Sequence, residues 1–248
     1  MAEADNGNTK INLEVDEKDK VFEGGHVIKG TMRVTVAKDT KCNEVFATAK
    51  GKGETLWAAN QKGNFMNQEY FNKTVSFWLG SEHDNMLKKG DYSYPFHFIL
   101  PDDIPSSFEG EHGWITYKVK GKVDSLSCEV KLKVMETHDL NKDLQAKKPI
   151  QLQEEATACC CCCKQGPLSY TITAEKRGFV PGEEIVLFGE IDNKASRAIE
   201  RIKIKILQKT TFRSQQGREK ENTKSIQEVV LNGISANSTE FCSVDFII

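Results

Sequence analysis

Charge of one sign, adjacent prolines and long apolar runs are all scarce in this 248-residue chain, and each shortage excludes a class of function. The 34 Lys and Arg residues nearly balance 36 Asp and Glu, which leaves a net charge of -2. No global excess of positive charge draws the chain to nucleic acid, and no zinc-finger, RNP-type or helix-turn-helix pattern is present. No uninterrupted apolar run approaches the roughly 20 residues of a membrane span. The N-terminal MAEADNGNTK lacks the apolar core of a signal peptide. The expectation is a soluble, cytoplasmic protein whose eight cysteines stay reduced. In that compartment the Asn72-Lys73-Thr74 and Asn237-Ser238-Thr239 sequons carry no meaning.

Catalytic signals are equally thin. The five histidines (His26, His83, His97, His112, His138) are scattered and form no His-x-x-x-His pair. There is no Gly-x-Ser-x-Gly elbow, no phosphate-cradling glycine loop ending in Lys-Ser/Thr and no dinucleotide fingerprint. The neighbouring acids Asp102-Asp103 and Glu109/Glu111 sit in turn sequence and read as solvated loop carboxylates. The expectation is a protein that is not an enzyme and has no catalytic, metal-binding or cofactor-binding residues.

What is abundant is alternation with period two, while the helix period is nearly absent. Met32, Val34 and Val36 alternate with Arg33 and Thr35; Val130, Leu132 and Val134 with Lys131 and Lys133; Ile202, Ile204 and Ile206 with Lys203 and Lys205. Many short strands divided by Gly, Pro and Asn turns indicate an all-β chain built as antiparallel sandwiches. The richest stretch is Gly90 to Asp124. Tyr92, Tyr94, Phe96, Phe98 and Leu100 share one side of a strand, opposite Ser93, Pro95, His97 and Ile99. Pro95 marks that strand as an edge or a bulge, because proline cannot donate to a ladder. Leu100-Pro101, Ile104-Pro105 and Ser106-Ser107 then form a stiff loop. Beyond the Gly110/Gly113 turn, Tyr117, Val119, Gly121 and Val123 face one way, and Lys118, Lys120 and Lys122 the other.

A faint repeat accompanies this. Phe22-x-x-Gly25 leads through an apolar stretch to Gly30, and Phe179-x-Pro181-Gly182 leads through another to Gly189. The second gap is longer by two residues, which leaves every side chain on its original face.

The Gly90–Asp124 stretch, with its proline-framed loop, Phe-Glu-Gly, His-Gly and Tyr strand, resembles the arrestin N-terminal domain as found in the arrestin domain-containing proteins. Lys176 to Glu183 (KRGFVPGE), followed by Glu190-Ile191-Asp192-Asn193, resembles the opening of the family's C-terminal domain. The resemblance implies two consecutive Ig-like antiparallel β-sandwich lobes, the arrestin fold. The boundaries read as an N-terminal domain over 1–138, a polar connector over 139–158 and a C-terminal domain over 159–248. About five strands can be placed in the second half, against at least seven in a sandwich of this kind. The expectation is therefore a C-terminally truncated second lobe.

Two features could carry function. Lys118, Lys120 and Lys122 line one strand face and Lys131 and Lys133 another, so pairing of those strands makes a basic strip. The resemblance implies contact with phosphorylated tails or anionic lipid heads at this strip. An antiparallel sheet also normally keeps one polar, solvated face. The run Cys159, Cys160, Cys161, Cys162 and Cys163 is the second feature. Neighbouring side chains on a strand point to opposite faces, so five adjacent thiols do not converge on one tetrahedral zinc. Burial at the lobe junction, S-acylation, and a metal or redox role stand as the three readings, the first supported by the bias of free Cys toward burial.

The function implied by the resemblance is a non-enzymatic adaptor that binds cytoplasmic regions of membrane receptors or transporters for endocytic sorting and protein transport. Other arrestins are further candidate partners, with peripheral association at plasma membrane or endosomes. The six prolines include no adjacent pair, so the Pro-Pro-x-Tyr motif by which family members recruit ubiquitin ligases is missing, and ligase recruitment does not carry over. The alternative is a redox-linked regulator resembling thioredoxin-interacting protein, acting through one exposed thiol among Cys42, Cys128 and Cys242.

Overall fold

The computed structural model describes residues 1–57, 65–160 and 163–247, with side chains described except over 157–165. These residues contain strands, one 3-10 turn at Gly80–Glu82 and no α-helix. The strands are β1 (Ala2–Asp5), β2 (Thr9–Val15), β3 (Val21–Glu23), β4 (Val27–Val36), β5 (Thr40–Lys41), β6 (Glu44–Leu56), β7 (Phe65–Leu79), β8 (Met86–Leu87), β9 (Gly90–Ile99), β10 (Phe108–Gly110), β11 (Gly113–Val123) and β12 (Leu126–Met135). Then follow β13 (Ile150–Cys160), β14 (Cys163–Ala174), β15 (Glu184–Asn193), β16 (Ile199–Arg213), β17 (Glu219–Ile234) and β18 (Ser238–Ile247). Two compact units result. One is Met1–Thr137 with Thr211–Glu221; the other is His138–Thr210 with the residues from Asn222 on.

In the first unit a sheet ordered β1-β2-β4-β9 faces one ordered β3-β12-β11-β6-β7, with β10 alongside β11. The alternation decides what is buried: Met32, Val34 and Val36 on one sheet meet Tyr117, Val119, Val130 and Leu132 on the other in a single core. Pro95 lies in β9, which among the described residues pairs only with β4 and forms the sheet edge, the position open to a residue without an N–H. Tyr117 is the largest fully buried side chain. Its hydroxyl donates to the Pro105 carbonyl at 2.7 Å, and its ring stacks on Phe71 at 6.0 Å. Gly51 makes room for both rings, since a Cβ there would sit 2.6 Å from the Tyr117 ring and 2.7 Å from that of Phe71. The stiff loop is tied down by its serines: Ser107 Oγ accepts from the Val134 N–H and Ser106 Oγ from that of Glu136, each at 2.9 Å. Phe212, of the segment Thr211–Glu221, is buried in this unit against Phe108 and edge-on to His112.

The second unit has a sheet ordered β13-β14-β15-β18 and a two-stranded sheet β16-β17. Its buried polar anchor is Asn193, whose amide donates to the Arg197 and Ser235 carbonyls at 2.9 and 3.0 Å and accepts from the Ala195 N–H. The faint repeat is structural. Gly25 and Gly182 both take positive φ (77° and 88°), each opens a ten-residue strand, and Gly30 and Gly189 are both buried on the inner side.

The stretch 139–158, which reads as connector, divides in two. Residues 139–149 are mostly turns, whereas Ile150 onward enters β13 and pairs with β14 from Ile150↔Ala174. The polar sequence reflects position: β13 is the outermost strand of its sheet, and Ile150 to Ala156 are all exposed.

Candidate functional site

β11 and β12 pair, and their register sets the five candidate lysines on the outer face of the larger sheet. Lys118 stands opposite Lys131, Lys120 opposite Glu129 and Lys122 opposite Ser127. On its other side β11 pairs with β6, which brings Lys50 opposite Lys118 and Lys52 opposite Thr116. Three lysines (Lys131, Lys118, Lys50) therefore lie in a row across adjacent strands. Cβ atoms of directly opposed residues are about 4.5–5.5 Å apart, where like charges destabilise. The sequence reading missed Lys50 and Lys52. Their signal was the alternation Ala47-Thr48-Ala49-Lys50-Gly51-Lys52-Gly53, in which the inward positions are Ala and Gly and carry little hydrophobic weight.

The counter-charges are unevenly spread. Lys118 pairs with Glu129 and Lys50 with Glu69, both at 2.6 Å. Lys52 pairs with Glu54, which also accepts from the Trp114 indole N–H at 2.8 Å. These donors, Lys52 first, hold the Glu54 carboxyl below its usual range against partial burial. Lys122 lies over the Phe46 ring, 5.4 Å from its centre. Among the described residues no acid stands within ion-pair distance of Lys120, Lys131 or Lys133.

Lys131 and Lys133 also border a groove of about 570 Å³. β12 leaves β11 after Leu132 to pair with β3, and β10 takes up the same edge of β11 from Gly113 to Ile115. The space left between β10 and β12 is walled by Phe108, Trp114, Thr116 and the two lysines. The arrangement offers cationic heads beside aromatic walls, a surface for binding an anion attached to something apolar.

The cysteines divide by burial. Burial pushes the Cys42 thiol up to about 11, reinforced by Asp124, and also raises that of Cys128. Both side chains are buried, whereas Cys242 is part-exposed beside Gly189. A thiol-exchange role among these three falls on Cys242 alone. The thiols of Cys159, Cys160, Cys161, Cys162 and Cys163 lie outside the described residues, although the backbone of Cys160 pairs with that of Cys163 at the β13–β14 hairpin. His97 and the loop acids Asp102, Asp103, Glu109 and Glu111 are exposed or nearly so. Among the described residues no group of three or more His, Cys, Asp or Glu is placed to hold a metal ion. No helix of the described residues is long and apolar enough to cross a membrane.

Comparison with known proteins gives two family matches. Residues 11–141 match the arrestin (or S-antigen) N-terminal domain, and residues 164–248 match the arrestin (or S-antigen) C-terminal domain. The chain is similar to arrestin domain-containing protein 1 of Homo sapiens, 23% identical over 222 residues covering 87% of this chain and 50% of that protein. It is also similar to arrestin domain-containing protein 17 of Caenorhabditis elegans, 25% identical over 231 residues (86% and 54%). Arrestin domain-containing protein 5 of Homo sapiens is 27% identical over 199 residues (75% and 57%). The chain spans about half the length of the curated relatives it matches.

Proposed function

The chain belongs to the arrestin family, in the company of the arrestin domain-containing proteins, and from that premise we propose that it is a non-enzymatic adaptor for membrane cargo. In this reading it works in the cytoplasm, at plasma membrane or endosomes, where it holds anionic cytoplasmic segments of receptors or transporters and directs them into endocytic sorting. The supporting observation is the row Lys131–Lys118–Lys50 with Lys120 and Lys133 beside it, neither of which has an acid within ion-pair distance among the described residues. Directly opposed like charges are destabilising; Glu129 and Glu69 neutralise Lys118 and Lys50, so the residual cost comes from the charge of Lys131 and its neighbours Lys120 and Lys133. An anionic partner offsets that cost, and a phosphate monoester, with about 1.5–2 negative charges at pH 7 and three acceptor oxygens, fits better than a carboxylate.

The test is binding of phosphorylated and unphosphorylated cargo-tail peptides to the chain and to Lys118→Glu/Lys131→Glu. Phosphopeptide affinity is expected to fall about tenfold or more on charge reversal, roughly 1.4 kcal/mol, and to weaken as salt rises. Phosphopeptide binding that ignores the substitutions, or equal binding of both peptides, refutes the reading.

A further inference from the structure

The groove between β10 and β12 is basic on one bank only. Lys131 and Lys133 stand on β12, whereas Glu109 stands on β10 opposite Trp114. The two lysines are alternate residues of one strand and share a face, roughly 6.6 Å apart along it. Glu129 is taken by Lys118, and neither groove lysine has an acid within ion-pair distance among the described residues. Both are exposed, and their flexible stems let two ammonium heads close on one anion. Glu109 acts in the opposite sense, repelling an anion from the β10 side. A ligand charged at one end is thus held in one orientation, with that end toward β12.

The space between the banks opens because the sheet splits. The edge of β11 passes from β10 at Ile115 to β12 at Tyr117, and residues of both faces line the gap. Tyr117 and Leu132 belong to the inner face and are 1% and 6% exposed. Trp114 is half-buried on the outer face and fixed in advance: its indole N–H donates to Glu54 at 2.8 Å, and Lys52 holds Glu54 in turn. Phe108 is held against Phe212. Walls locked before binding lose little freedom when a ligand arrives. A cavity of about 150 Å³ accepts a benzene ring, so about 570 Å³ has room for a ring, an anionic group and water.

These features select among anions. A carboxylate brings one charge and two acceptor oxygens. Phosphoserine brings more charge, but a single methylene keeps its phosphate close to the backbone, where it reaches lysines on the open sheet and leaves the aromatic walls wet. An aryl phosphate uses both: its ring packs on Trp114 and Phe108, and its three acceptor oxygens and about 1.5–2 negative charges meet the ammonium heads. On the premise that the lysine row binds anions, we propose that the groove takes a phosphotyrosine side chain of a partner peptide, ring between Phe108 and Trp114 and phosphate at Lys131 and Lys133.

Fluorescence anisotropy on the full chain, with labelled peptides that differ only in a central phosphotyrosine, phosphoserine or tyrosine, tests this. The phosphotyrosine peptide is expected to bind at least about fivefold more tightly than the phosphoserine peptide, the worth of one aromatic pair. Trp114→Leu is expected to erase that difference and to leave phosphoserine binding within about twofold. Lys133→Glu, an exposed position outside the lysine row, is expected to weaken phosphotyrosine binding about tenfold and phosphoserine binding less. Circular dichroism checks folding, and Lys133→Glu decides alone where Trp114→Leu does not fold. Equal affinities for the two phosphopeptides, both weakened by Lys118→Glu/Lys131→Glu, would overturn the phosphotyrosine site and leave the adaptor reading standing; saturation by neither would refute both. A tyrosine peptide that binds as tightly as its phosphorylated form overturns the proposal as well. Binding of phosphatidylcholine vesicles containing phosphatidylinositol bisphosphate that needs Trp114 and Lys133, without a preference for phosphotyrosine, would give the groove to a lipid headgroup and overturns it too.

Discussion

Replacing Tyr117 by Phe removes one oxygen from the centre of the first unit, and the consequence should depend on pH. The ring is 1% exposed, and the hydroxyl makes a single hydrogen bond, to the Pro105 carbonyl at 2.7 Å. Phe keeps the stacking on Phe71 and Tyr70 but leaves that part-buried carbonyl without its donor, which costs about 0.5–1.5 kcal/mol. Burial, with smaller contributions from Tyr70 and Glu136, raises the phenol pKa of the folded protein well above its ordinary value. The folded state therefore holds a proton that the unfolded chain releases once pH passes about 10. The unfolded state then binds fewer protons, so stability falls as pH rises, by about 1.4 kcal/mol per pH unit from this group. Phe carries no such proton. The advantage of the wild type is thus complete at pH 7–9 and about 1.4 kcal/mol smaller by pH 11, where other titrating groups affect both proteins alike. Urea unfolding followed by tryptophan fluorescence reads this unit selectively, because all three tryptophans, Trp57, Trp78 and Trp114, belong to it. A difference between the two proteins that is constant from pH 7 to pH 11 would refute the reasoning, as would a neutral-pH effect below a few tenths of a kcal/mol.

Two further outcomes follow from the same geometry. Gly51→Ala drives a methyl group to 2.6 Å from the Tyr117 ring, and overpacking of this kind should cost about 1–3 kcal/mol in the same urea assay. Of Cys42, Cys128 and Cys242, only Cys242 has a part-exposed side chain, whereas burial covers the other two and raises their thiols; at pH 7.4 a neutral alkylating reagent should label it first, read by peptide mass spectrometry. Simultaneous labelling of Cys42 would show that its cover opens readily.

The period-two pattern made most of the first unit legible. Tyr117, Val119 and Val123, or Val130, Leu132 and Val134, carry enough apolar area on one side to fix which face turns inward, and all are buried. Pro95 announced the edge by what it cannot donate. Legibility failed where position outweighs composition. β13 is polar because it is outermost and exposed, so Ile150 to Ala156 lacked the apolar alternation that marks a half-buried strand. Lys50 and Lys52 reach the basic row only through pairing with residues more than 60 positions away, such as Lys50 with Lys118. Long-range register of that kind leaves no local trace.

At the β9 margin of its sheet in the first unit, the imino acid has a consequence for association. Because β4 zips to β9 continuously from Gly90 to Ile99, the missing amide hydrogen of Pro95 has to fall on the outward side. Any foreign chain seeking to extend that sheet meets pyrrolidine carbons midway along the rail where it needs a donor. One margin of the molecule is thus shut to strangers, and fibril-like stacking through it is blocked without spending a single charge.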